Sequence, residues 1–155
     1  MVIGEILGAK ETVAYFGEGQ QAAVKTALRV TVRQLAMSLS TLVKKKLSGP
    51  VLHVGVNGRL RRSITPRVKD RQDSISGIVG TNVVYARIHE FGGHTRPHDI
   101  RPRNARALFF NGRFAMVVHH PGSNFPERSF LRSALAEMTP EIRAELMLAI
   151  RGVLK

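Results

Sequence analysis

The chain of 155 residues contains no cysteine. This absence excludes structural disulfides and thiolate-rich metal sites, and it is compatible with a reducing compartment. Long apolar stretches are also missing, since no run approaches the roughly 18 residues of a membrane-spanning helix. The first residues include Glu5 and Glu11 and lack the apolar core of a signal peptide. We therefore expect a soluble protein that has no membrane partner and stays where it is made.

Acidic residues are few and unevenly distributed. The chain has 24 Lys and Arg against 11 Asp and Glu, which gives a formal net charge of +13. No acidic residue lies between Gly19 and Lys69, whereas basic residues recur throughout that stretch. This asymmetry favours a surface that faces a polyanion, above all nucleic acid. A basic helix face that is merely solvated is the alternative explanation.

Sequence motifs for catalysis are also absent. His89-Glu90 and His94 resemble a zinc-protease motif, but the second histidine is five residues after the first instead of four. The glycine pair between them would also break the helix that must present both ligands. A metal-dependent hydrolase built on His89, Glu90, His94 and His98 remains an alternative, although the scarcity of carboxylates counts against a nuclease. We predict a protein that is not an enzyme and uses no cofactor.

The pattern of apolar residues predicts an α+β fold. Apolar residues recur every three or four positions over 20–47, as in a long amphipathic helix. Two strands are predicted within 64–79, and a hairpin around an Asn-Gly turn within 107–118. Helices are predicted from Pro126 and, after a cap at Thr139-Pro140, to the end of the chain. We expect the long N-terminal helix and a C-terminal helix to pack on an antiparallel sheet of about four strands, with an extended loop or arm.

The chain is predicted to form a single domain, 1–155, with an N-terminal segment at 1–18. Residues 94–106 are rich in arginine and proline and are predicted to form the loop or arm. Phe109, Phe110 and Phe114 could stack on nucleic-acid bases, but their apolar hairpin strands favour a place in the core.

The connector between the two halves of the chain is VGTNVVYARIHEFGG, residues 79–93. Tyr85, Ile88 and Phe91 recur at three-residue spacing, so we expect one helical turn that docks on the sheet through these side chains. The glycine pair ends this turn, because glycine enters left-handed backbone conformations at little cost.

Four motifs occur in a characteristic order: GRLRRSI at 58–64, the connector, ALFF followed by a strand and HPG at 107–122, and PERSFLRSALAEM at 126–138. In this order and spacing they resemble the neck and tail-completion family of long-tailed bacteriophages. The resemblance extends from residue 20 to the C-terminus. An Asn-Gly in place of Thr-Gly before the first motif, and a longer arginine-rich loop, distinguish this chain from the minimal family pattern.

The resemblance implies a structural, non-enzymatic subunit of the virion neck or tail, assembled in the bacterial cytoplasm. Such proteins form rings, commonly hexamers, at the head–tail junction around the DNA channel, and can be monomeric before assembly. The implied partners are further copies of the chain, head-completion or connector proteins, tail proteins and, non-specifically, double-stranded DNA. A free-standing basic nucleic-acid-binding module is the other alternative.

Two sets of surface residues follow as hypotheses. Charge clustering assigns to the DNA channel Arg29, Arg33, Arg59, Arg61 and Arg62. Position in the connector and the arm assigns to contacts between subunits His89, Glu90, Arg96, Arg101 and Arg103.

Overall fold

A computed structural model of the chain describes residues 17–49, 51–54, 58–72 and 74–154. Most of the N-terminal segment that the sequence set apart lies outside the described residues. The helices are α1 (Glu18–Lys46), α2 (Arg59–Ser63), α3 (Ala86–Phe91) and α4 (Leu131–Val153). The strands are β1 (Thr65–Arg71), β2 (Ser74–Gly80), β3 (Gly93–His94), β4 (His98–Ile100), β5 (Leu108–Phe110), β6 (Arg113–Ala115), β7 (Val118–His120) and β8 (Asn124–Phe125). No helix in these ranges is both long and apolar enough to cross a membrane.

Helix α1 is the central element of the fold, since it contacts α4, β1 and β2. Its bounds agree closely with the predicted helix. Val24, Val32 and Leu35 are buried on its apolar face, as their spacing predicts. The last turn carries three lysines, whose charge complements the negative end of the helix dipole.

The hairpin β1–β2 packs on α1. Thr65 pairs with Gly80 and Arg71 with Ser74, so the two predicted strands are confirmed. Gly77 faces the helix, where an added Cβ would lie 3.1 Å from Cγ1 of Val32. The absence of a side chain at this position allows the strand to approach the helix closely.

Helix α4 is continuous, whereas the sequence predicted a break at Thr139-Pro140. Pro140 lies inside the helix, and the Thr139 hydroxyl donates a hydrogen bond of 2.8 Å to the carbonyl of Leu135. Met138 and Ile142, on either side of the proline, are both buried in one cluster with Leu35 of α1. A break at the proline would expose one of them, so packing against α1 overrides the local signal.

The fold class is α+β, as predicted, but the strands do not form one four-stranded sheet. They pair as four separate antiparallel ladders, each with two strands, within the described residues. The β1–β2 ladder packs on α1, while the other three pairs follow one another along a single hairpin between α3 and α4. The expected sheet is thus divided between the body of the protein and an arm.

Replacing Phe130 with Ala should lower the free energy of unfolding by about 3–5 kcal/mol, because removal of a buried aromatic ring leaves a cavity. Phe130 is fully buried in the cluster that joins α1, α2, β2 and α4. Urea unfolding measures the change. Phe109→Ala is the matched control, since this ring is 69% exposed and its loss should change stability little. Equal losses in the two variants would contradict the assigned core.

Candidate functional site

Residues 93–125 form a long hairpin, which we call the arm. Gly93 pairs with Phe125, and Ile100 pairs with Val118, so the ladders β3–β8 and β4–β7 share one register. Between them, the Thr95 N–H donates to the carbonyl of Ser123 over 3.0 Å. The first half of the predicted loop, 94–100, is therefore one side of a paired ribbon, while 101–106 belongs to no ladder.

The arm ends in a tight turn between β5 and β6. Asn111 and Gly112 have φ angles of 49° and 76°, as an Asn-Gly hairpin turn requires, so this prediction is confirmed. Phe109 and Phe114 pair directly across the ladder, with ring centroids 5.2 Å apart.

The prediction that these two phenylalanines belong to the core is wrong. Phe109 is 69% exposed and Phe114 is 78% exposed, and the neighbouring Met116 is 67% exposed. The apolar pattern is that of a core strand, but none of the described helices packs on the tip of the arm. Exposed large apolar side chains that cluster on a monomer are typical of an interaction site.

The base of the arm is held by Glu90, whose carboxylate is 1% exposed and lies at the start of α4. Its Oε2 accepts hydrogen bonds from the N–H groups of Phe130 and Leu131, at 2.8 and 2.9 Å. Its Oε1 accepts from the N–H of Arg132 at 2.9 Å and from the Ser129 hydroxyl at 2.8 Å. A helix leaves its first N–H groups without acceptors, and an anion is favoured there by the helix dipole. The carboxylate of α3 thus serves as the cap of α4.

Further contacts join α3 to the segment before α4. The Arg132 guanidinium donates to the backbone carbonyl of Glu90 at 3.1 Å and to Oε1 of Glu127 at 2.6 Å. It also lies 4.5 Å from the ring centroid of Phe91, a cation–π arrangement. The Arg128 N–H donates to the carbonyl of His89 at 2.8 Å. Both strands that leave the body for the arm are therefore fixed to one another.

The glycine pair ends α3 and begins the arm, as the sequence of the connector predicted. Gly92 has φ 68°, and an added Cβ would lie 2.9 Å from the backbone nitrogen of Glu127. Gly93 has φ 138°, which L-residues also rarely adopt. A side chain at position 92 would collide with the backbone that follows β8. Only glycine therefore allows the chain to leave α3 at this point.

The residues that dock the connector differ from those predicted. Val83, Ala86 and Glu90 are buried, whereas Tyr85 and Phe91 are 43% and 44% exposed and Ile88 is half-buried. The short helix presents its other face to the core, because Glu90 must reach the start of α4.

Glu90 is also not available to a neighbouring subunit as we predicted, because its own chain occupies both oxygens. The sequence gives no local signal for this role, since donors and acceptor lie about 40 residues apart. Ser129 and Arg132, which bond to Glu90 across a similar separation, were missed for the same reason. One feature of the sequence could have indicated an external cap. Phe130 occupies the N-cap position of α4, and its side chain cannot accept a hydrogen bond.

His89 lies between the rings of Tyr85 and Phe125, at centroid distances of 6.0 and 5.8 Å. Burial, with the nearby charge of Arg128, lowers the pKa of His89. Its predicted contact with a neighbouring subunit stays a prediction, as do those of the exposed Arg96, Arg101 and Arg103 of the arm. Among the described residues, no three His, Asp or Glu side chains are grouped so that they could hold a metal ion.

The predicted DNA-facing arginines lie on two helices, since Arg29 and Arg33 belong to α1 and Arg59, Arg61 and Arg62 to α2. Arg29 donates to Asp70 of β1, and this contact lowers the pKa of Asp70. Leu60, between Arg59 and Arg61, belongs to the main buried cluster and holds α2 on the body of the protein. Arg33, Arg59 and Arg62 are exposed, and Arg61 is half-buried.

The arm, its base and α4 all fall within the part of the chain that matches a known family. A family model, that of the phage virion morphogenesis family, matches residues 36–154. The chain belongs to this family. The match confirms the family resemblance of the motifs and covers the C-terminal part of α1 from residue 36, the β1–β2 hairpin, the arm and α4. Comparison with curated proteins and with solved structures gives no significant match.

Membership in the phage virion morphogenesis family indicates a component that takes part in building a phage virion. The geometry of Glu90 itself is that of a helix cap. Its oxygens bind backbone N–H groups, and a general base or metal ligand would need at least one of them free.

Replacing Glu90 with Gln should lower the free energy of unfolding by about 3 kcal/mol, because the amide nitrogen would face N–H donors that have no other acceptor. Chemical unfolding measures the change. Glu145→Gln on the exposed side of α4 is the matched control and should be close to neutral. A near-neutral Glu90→Gln would show that the carboxylate does not hold the start of α4.

Acid should destabilise the wild-type protein more steeply than Glu90→Gln. Burial raises the pKa of Glu90, but hydrogen bonds from Leu131, Arg132, Ser129 and Phe130 outweigh burial, so the pKa lies below its ordinary value. A group with a lowered folded pKa stabilises fully above its unfolded pKa and loses that contribution as pH falls through the folded pKa. Urea unfolding from neutral pH to about pH 3 tests this, and parallel curves for the two proteins would contradict it.

Proposed function

We propose that the protein is a structural subunit of a ring at the head–tail junction or the tail end of a phage virion, around the DNA channel. The observation that carries the proposal is the arm. The chain belongs to a family of virion assembly proteins. Its hairpin arm is fixed at the base and exposes apolar side chains at the tip, which supports a role in joining to other proteins.

The basic surface supports the second part of the proposal. Channel-lining cations would screen the phosphates of passing DNA without reading its sequence. Arg33, Arg59 and Arg62 are the members of the predicted set that are exposed. Arg29 has a separate role, because its contact with Asp70 joins α1 to the β1–β2 hairpin.

A metal-dependent hydrolase is not favoured by this geometry. Glu90 is occupied by the start of α4, while His94 and His98 lie on the arm. The side chains that such an enzyme would need do not converge.

Particles produced without this chain should contain capsids and tails that fail to join, or tails of the wrong length. Electron microscopy of negatively stained lysates and the infectious titre measure the defect. Supplying the wild-type chain from a plasmid should restore both. Normal infectious particles in its absence would contradict the proposed function.

Replacing Arg33, Arg59 and Arg62 together with Gln in the same complementation should lower the titre while the subunit is still incorporated. At the level of binding, each lost phosphate contact should reduce the slope of log affinity against log salt by about 0.9. Arg143→Gln with Arg151→Gln on α4 is the matched control. If the triple variant keeps both its DNA binding and its titre, these arginines do not face DNA.

A further inference from the structure

The tip of the arm combines apolar and positive character. Phe109, Phe114 and Met116 form an exposed apolar patch. The chain has no acidic residue from 100 to 126, while the same stretch contains Arg101, Arg103, Arg106 and Arg113. A complementary surface must therefore offer apolar side chains together with carboxylates.

The same molecule carries such a surface on its helical body. An open groove of about 680 Å³ runs between α1 and α4. Its lining residues are Met37, Ser38, Thr41, Leu42, Lys45, Glu137, Met138 and Glu141. Met37 is 57% exposed, so the groove has an uncovered apolar wall.

One side of the groove is acidic. Glu137, Glu141 and Glu145 recur at four-residue spacing and therefore lie along one face of α4. Glu137 is bonded to Lys46 at 2.8 Å, while Glu141 and Glu145 are exposed. In a chain with only 11 acidic residues, this row is a local exception to the positive surface.

We propose that the tip of the arm of one copy docks in the α1–α4 groove of a second copy. The proposal rests on the ring described above and names the surfaces that would build it. The exposure of Phe109 and Phe114 shows that the tip is not in its own groove. Aromatic rings would cover the exposed side chain of Met37, and Arg113 would approach the carboxylates of Glu141 and Glu145.

The two surfaces differ, so the contact is heterologous. A head-to-tail contact of this kind leaves each copy with one tip and one groove to offer, and it generates a ring when the rotation closes. The fixed base of the arm matters here, because it sets the direction in which the arm leaves each copy. This arrangement needs no additional protein to connect the subunits.

The absence of cysteine makes a site-specific cross-link possible. Met116→Cys places a thiol beside the tip, and Ser38→Cys places one in the groove. When the two purified variants are mixed with a short bis-maleimide, a covalent dimer should form. The double variant should give a series of larger species. Met116→Cys mixed with Lys69→Cys on exposed β1 is the matched control and should give little product.

Charge reversal tests the complementarity. Arg113→Glu and Glu141→Arg, each added to the double-cysteine chain, should lower the cross-link yield about tenfold. The two reversals combined should restore it. Arg67→Glu, on exposed β1, should leave the yield unchanged. Equal yields in the tip–groove and control pairs, or no rescue by the combined reversals, would overturn the proposal.

The same double-cysteine chain, supplied to particles that lack the protein, separates the two levels of the account. Incorporation into particles with a tip–groove cross-link supports both. If the chain is incorporated but the tip cross-links to a different virion protein, or to none, the docking proposal fails while the proposed function stands. If the chain is absent from particles that assemble normally, the proposed function fails.

Discussion

The start of α4 depends on one buried carboxylate. Any helix begins with N–H groups that its own backbone cannot satisfy, and a buried start makes that deficit costly. Glu90 accepts hydrogen bonds from Phe130, Leu131 and Arg132, and the Ser129 hydroxyl accepts from the N–H of Ser133 at 3.3 Å. Because Glu90 belongs to α3, the same bonds fix the connector to the last helix. The two strands of the arm leave from these two elements, so the orientation of the arm depends on the same interaction.

This arrangement explains how a small protein can present a long hairpin. The body buries its apolar residues between α1, α4 and the β1–β2 hairpin. The arm lies outside this core, and its ladders are joined by their own hydrogen bonds. An isolated two-stranded ribbon is only marginally stable, so a rigid base is needed to hold it. A subunit of the phage virion morphogenesis family that must contact other proteins gains from such a fixed projection.

Much of the body could be predicted from the sequence. The apolar residues gave α1 and the two strands β1 and β2, and the Asn-Gly pair gave the turn at Asn111-Gly112. These signals are local. The capping role of Glu90 could not be predicted, because it joins residues about 40 positions apart. The apolar pattern placed Phe109 in the core, and Pro140 predicted a break in α4; both predictions were wrong. Each outcome depends on which elements pack together in space, and a local pattern does not contain that information.

Amide hydrogen exchange at the first turn of α4 tests the central claim most directly. First-turn N–H groups usually exchange quickly, since no intrahelical carbonyl accepts them. If Glu90 holds this turn, the amides of Phe130, Leu131 and Arg132 should be protected in the wild-type protein as strongly as those in the middle of α4. They should exchange much faster in Glu90→Gln under conditions where that variant remains folded. Fast exchange at these three amides in the wild-type protein would contradict the account.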